Sequence, residues 1–416
     1  MRIQRIEPSY NYKNVITLFF ITASFFMFLL FLILFYINPE GSQAYVFFKK
    51  TTDYMADFYN VAKYSSDGNP YFNEFRGSYP PISYVLMMIL SKFAPYKELG
   101  AFEAGKTTMG LATSAYFMFS ISSLFFLLLH SFMKGTRGVR FLLVSTFYVS
   151  GIFIFTYERG NLVILSALLS TFYLFNYRSE NALIRELAFL SLAFSAALKI
   201  YPALFGILLL FERRIKEALR LILYGILIAL LPFLFLDHHI QNLPKLVENL
   251  SLASDYYLFM RYPRFGHYYF VSVWNSSRPL RNLISGQTLH LVLTPLVHII
   301  AIVGIILANW NETHWKKVAI LTLAVILLPV NSGLYCGIYM FPVIIMYFNQ
   351  AEMNRKDWWY AILFLIFLNP IQIPVWKTNL NTVLVNISVF LLALDIIISS
   401  IKSFREKKMI RISITV

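Results

Sequence analysis

Pro80-Pro81-Ile82-Ser83-Tyr84-Val85-Leu86-Met87-Met88-Ile89-Leu90-Ser91-Lys92-Phe93-Ala94 is the run on which the topology turns. It offers about fourteen apolar residues, a length that suits a re-entrant or interfacial segment, whereas a span needs about 20. If the run does not cross, both termini lie in the cytoplasm. Inner segments then hold 21 of the 36 Lys and Arg, and outer segments hold 15. If it does cross, every later loop changes side. That leaves 13 inside and 22 outside, with Lys92 in the bilayer. The positive-inside rule selects the first arrangement. The run is therefore expected to be an interfacial helix on the outer face, within a first outer loop over 38–106.

Composition is what puts the chain in a bilayer. Of the 416 residues, 58% are hydrophobic and only 14% are charged, against about 25% charged in soluble domains. So much apolar surface needs lipid as its solvent. The net charge of +15 would suit nucleic acid, but the basic residues cluster at the ends of apolar runs, so no nucleic-acid partner is expected. The apolar run from Val15 to Ile37 exceeds the about 7–15 residues of a signal-peptide core and reads as an uncleaved first span. Eleven further apolar runs between 107 and 402 bring the expected spans to about twelve. The expected fold is an all-α polytopic membrane protein, a single domain over 1–416 with a second outer loop over 237–287. Cys336 is the lone cysteine, which excludes an internal disulfide. No His/Cys/carboxylate set has metal-ligand spacing, and no glycine-rich phosphate loop is present. No metal and no cofactor are expected.

Three charged positions carry candidate chemistry. Asp57 follows the first span and precedes the turn signal Asp67-Gly68-Asn69-Pro70. An acid there reads as a solvated loop residue, as a helix N-cap or as a general base. Arg159 lies in the tight connection Glu158-Arg159-Gly160-Asn161. It suits either a headgroup anchor or a lipid phosphate, which a guanidinium grips bidentately. Lys199 ends the apolar run from Leu187 to Leu198, and Pro202 breaks the helix after it. Snorkelling to the interface competes there with phosphate binding. The topology sets all three on one side of the membrane, which points to an anionic, lipid-linked substrate. In the second outer loop, Arg261, Arg264 and His267 stand among Tyr256, Tyr257, Tyr262, Tyr268 and Tyr269, with Asn275 beyond. An aromatic belt and a sugar-stacking surface both fit that composition.

The order Asp57, Gly68-Asn69-Pro70-Tyr71, Tyr79-Pro80-Pro81, Arg159-Gly160-Asn161, Lys199-Ile200-Tyr201-Pro202 resembles glycosyltransferase family 87. These are polytopic C-type glycosyltransferases, among them bacterial mannosyltransferases that use polyprenyl-phosphate mannose. The resemblance spans roughly the first half of the chain. It implies inverting, metal-independent transfer of a hexose, mannose first, from a polyprenyl-phosphate sugar to a lipid-linked or cell-envelope glycan acceptor, at the outer face of the cell membrane. Asp57 aligns with the family's base, Lys199 and Arg159 are the candidates for the donor phosphate, and Tyr79, Tyr201, Arg261, Arg264, His267 and Asn275 are the candidate substrate contacts. The chain departs from the family at Asn331–Tyr339, where Tyr335 and Tyr339 stand in a region that carries Trp and His in many members. Two other classes remain open: a surface polysaccharide polymerase or ligase, which would work through the basic second loop, and a lipid-linked glycan transporter, which would carry paired repeats.

Overall fold

The computed structural model describes residues 12–38, 54–260, 262–311, 313–375 and 378–415, without the side chains of 378 and 408–415. Among these residues the chain is helical, apart from a two-stranded antiparallel ribbon pairing Pro374–Val375 with Thr378–Asn379.

Long helices lie outside and short ones inside. Five helical segments are long and apolar enough to cross a bilayer: Tyr12–Ile37, Thr108–Phe132, Ile215–Phe235, Gly286–Ala308 and Leu380–Lys407. Arg137–Tyr148 and Gly151–Arg159 form a sixth if the pair, bent by 59°, counts as one span. The five long helices bury only a minority of their residues, as helices facing lipid do. Tyr12–Ile37 buries Ile16, Thr17, Phe20, Ile21, Ser24 and Phe31. The twelve expected spans are thus not matched by twelve helices of crossing length. The other apolar runs are shorter, among them Val163–Asn176, Tyr201–Phe211, Leu334–Phe348 and Asp357–Leu368, and form the centre of the bundle. His314–Leu327 is buried continuously from Val318 to Leu327.

Small residues let the central helices approach closely. Val163–Asn176 and Ala182–Leu198 meet through Ser166 and Ser195, whose hydroxyls are 2.8 Å apart. The Tyr339 hydroxyl donates to Ser166 Oγ at 2.7 Å, which ties in the turn Leu334–Met340.

The deciding run forms the helix Pro81–Ser91. Its eleven residues rise about 16 Å at 1.5 Å each, roughly half the hydrocarbon thickness. Pro81 starts it at a position where the missing N–H costs nothing. It buries Ser83, Tyr84 and Met87 against the helix Ala56–Ser65 and the end of Ala182–Leu198.

Candidate active site

Asp57 is the second residue of the helix Ala56–Ser65, whose N-cap is Met55, with no capping side chain. The helix-cap reading of Asp57 therefore falls away. Its carboxylate is engaged across the sequence: Arg159 Nη2 donates to Oδ1 at 2.5 Å and Asn161 Nδ2 donates to Oδ2 at 2.7 Å. The ion pair is partly sheltered, with 17% of the Asp57 side chain and 30% of the Arg159 side chain exposed. The connection Glu158–Asn161 is locked onto the start of the Asp57 helix, because the Met55 amide donates to the Glu158 carbonyl at 2.7 Å. Gly160 has φ +63°, and a Cβ there would lie 2.8 Å from Met55 Sδ and 2.9 Å from Phe58 Cβ. Glycine takes that backbone without a Cβ penalty and leaves that space.

Lys199 arrives from a third segment. Pro202 has no N–H to give the Leu198 carbonyl, so the helix cannot continue. Ser83 Oγ donates to that carbonyl instead, at 3.1 Å. The same contact sets the Pro81–Ser91 helix against Lys199, whose Nζ lies 3.7 Å from the centroid of the Tyr79 ring. A cation over a phenol face is stabilised by about 0.5–2 kcal/mol. Burial raises the Tyr79 pKa, with the Asp57 charge adding to it, so the phenol stays neutral. Tyr79 is itself held, its carbonyl accepting from the Tyr71 hydroxyl at 2.8 Å and its amide donating to the Tyr84 hydroxyl at 3.2 Å.

Residues 78–330, more than half of the chain, match the sequence model of glycosyltransferase family 87. The chain belongs to that family. No curated protein and no solved structure matches it. This family 87 protein is a membrane glycosyltransferase, with Tyr79, Arg159 and Lys199 inside the matched segment and Asp57 ahead of it.

The other expected site residues of this glycosyltransferase divide by position. Tyr201 packs behind Lys199, its hydroxyl 3.4 Å from Cys336 Sγ and its ring edge-on to Tyr339. Arg264 is fully buried. Its two terminal nitrogens donate to the carbonyls of Tyr257, Val330, Leu258 and Tyr268. These four contacts join the second loop to residue 330, while the buried Nε is left without a partner among the described residues. His267 is buried, with Nε2 3.0 Å from Thr294 Oγ1. Burial lowers its pKa to about 4, with the nearby imidazoles of His298 and His290 adding to the shift. It is uncharged at neutral pH and offers no cation to a phosphate. Asn275 packs against Gly286. Arg261 lies outside the described residues. Asp67 serves the turn, accepting the Asn69 amide at 2.9 Å.

Other residues join the site without having been candidates. Asn161 touches Asp57 directly. Tyr257, from the helix Asn242–Leu258, stands in the electrostatic field of Tyr79, Asp57 and Arg159. Tyr335 stands in that of Tyr79 and Asp57. The backbone pairing of Phe265 with Ser332 and of Leu334 with Pro263, at 2.8 and 3.1 Å, seats the second loop beside Tyr335. The sequence marks them only indirectly, Asn161 within the Arg159-Gly160-Asn161 motif, Tyr257 within the tyrosine cluster and Tyr335 within the stretch that departs from the family; their contacts are made between distant segments.

An apolar groove of about 250 Å³ lies between the helix Ala182–Leu198, the segment Tyr201–Phe211 and the helix Ile215–Leu230, lined in part by Ala193, Ala196, Ala203, Gly206, Leu210 and Leu221. A more open cleft of about 870 Å³ lies at the far end of the Asp57 helix, where Ser66, Asp67, Lys92 and Lys97 line it.

Proposed function

We propose that this glycosyltransferase moves a hexose, mannose in the first instance, from a polyprenyl-phosphate sugar to a lipid-linked or cell-envelope glycan acceptor. The reaction inverts the anomeric centre on the outer face of the cell membrane, and both termini are cytoplasmic. The observation that carries the reading is the convergence of Asp57, Arg159 and Lys199, from three separate segments, around Tyr79.

Asp57 takes the proton of the acceptor hydroxyl as that oxygen bonds to the anomeric carbon. The bond from that carbon to the phosphate oxygen breaks, and its electron pair leaves with the polyprenyl phosphate. A base of this kind accelerates transfer about 10²–10⁴-fold. Lys199 and Arg159 stabilise the charge that gathers on the leaving phosphate. A guanidinium has five N–H donors, enough to hold Asp57 and a phosphate together. The apolar groove along the helix Ala182–Leu198 has small residues on its walls and suits an isoprenoid chain. Tyr257 and Tyr335 are flat walls for the sugar. The commitment of Arg264 to backbone carbonyls speaks against a polymerase or ligase working through the basic loop.

The test is incubation of the purified protein with a panel of labelled polyprenyl-phosphate hexoses and membrane glycolipid extract. Transfer from polyprenyl-phosphate mannose supports the reading. Transfer only from nucleotide sugars, or from none of the panel, contradicts it.

A further inference from the structure

We propose that Asn161 is a positioning residue that aims the Asp57 carboxylate, an inference that rests on Asp57 being the base. Asn161 is fully buried, and both ends of its amide are committed. A carboxylate only accepts hydrogen bonds, so Nδ2 must face Asp57 Oδ2, at 2.7 Å. The oxygen then faces the Val163 amide, at 2.9 Å, and starts the helix Val163–Asn176. Turning the amide over would set oxygen against oxygen and lose both bonds. One side chain therefore fixes the direction of the acid and the start of the next helix.

The surroundings make this clamp stiffer than the ion pair beside it. Asn161 is short and follows Gly160, whose left-handed backbone is wedged between Met55 and Phe58. Arg159 is long and 30% exposed. While the arginine divides its donors between Oδ1 and a phosphate, Asn161 holds Oδ2, so the carboxylate stays aimed at the acceptor. The division of labour is that Arg159 serves the donor while Asn161 keeps the base aligned.

Two measurements on the purified full chain test this. The first is a cycle of melting temperatures over Asn161→Ser, Asp57→Ala and the double variant. Serine keeps a short oxygen for the Val163 amide and removes the donor to Asp57. The expected result is non-additive shifts, as for residues in direct contact. The second is kinetics with labelled polyprenyl-phosphate mannose. Asn161→Ser is expected to lower kcat about tenfold to a hundredfold, the scale of a misaligned reacting group, with donor KM nearly unchanged. If Asn161→Ser does not fold, Asn161→Asp keeps the oxygen for Val163 and sets a like charge against Asp57, with an equal or larger loss of kcat expected. Additive melting shifts, or a normal kcat in either folded variant, overturn the proposal and leave Asn161 as a helix start alone. If the wild type transfers from no polyprenyl-phosphate sugar, the donor reading fails, and the melting cycle still decides the clamp.

Discussion

Lys199 shows how one residue can serve both the fold and the chemistry. Its backbone is extended, at φ −146° and ψ 116°, where the helix ends, and its ammonium rests on the Tyr79 ring. An ammonium at the end of an apolar helix is costly without a partner, and a phenol face offsets only part of that. Under the proposed function, a phosphate that gains charge in the transition state would complete the pairing. Lys199→Ala should therefore raise the donor's KM and also lower kcat, while Lys199→Arg should restore part of both. Steady-state kinetics check this, and a lowered melting temperature with normal kinetics would make the lysine structural. Tyr79→Leu removes the ring and should resemble the lysine variants. His267 makes the opposite case. Its folded pKa of about 4 lies below the ordinary 6.5, so the unfolded chain takes up the proton first. The protein should lose stability as pH falls from about 6.5 toward 4 and gain nothing from this group above that range. His267→Gln should flatten the fall in melting temperature over that window, and an unchanged slope would remove the histidine from the account.

At the scale of elements, the site depends on where helices stop. The Asp57 helix begins against the carbonyl of Glu158, and the helix before Lys199 ends because of Pro202. Gly160→Ala should destabilise the protein by about 1–3 kcal/mol, since it puts a side chain into a left-handed backbone and onto Met55 and Phe58. A melting temperature equal to that of the wild type would show that this turn is not fixed. Much of this was legible in the sequence. The run from Val15 to Ile37 announces its helix by length alone, and Pro202 announces a break. Gly68-Asn69-Pro70 announces a turn, and Gly68 indeed has φ +80°. The number of crossing helices was not legible, because a short buried helix and a short span have the same apolar composition. Arg264 reads as a surface cation among tyrosines, and only the fold reveals four carbonyls waiting for it. Asn161, Tyr257 and Tyr335 stand in stretches the sequence singles out, but which side chain of each stretch reaches the site is set by tertiary packing.

At the scale of the whole molecule, long lipid-facing helices surround a core of short ones, and the charged set gathers where the Asp57 helix, the Gly160 turn and the Lys199 break meet. The proposed sidedness sets this meeting point outside the cell. Lys97 and Thr136 are both exposed, and Cys336 is buried, so single cysteines can be labelled against a quiet background. An impermeant thiol reagent applied to intact cells should label Lys97→Cys and miss Thr136→Cys. The reverse would mean that 80–94 crosses the membrane after all. The central claim is that Asp57 removes the acceptor's proton. Asp57→Asn preserves size but cannot take a proton, and its amide nitrogen faces a donor, so the purified variant should fold with a lowered melting temperature. Its rate of transfer from labelled polyprenyl-phosphate mannose should fall at least about a hundredfold, the lower bound for a lost general base. Retention of more than about a tenth of the wild-type rate, against that bound, would contradict the assignment of the base to Asp57.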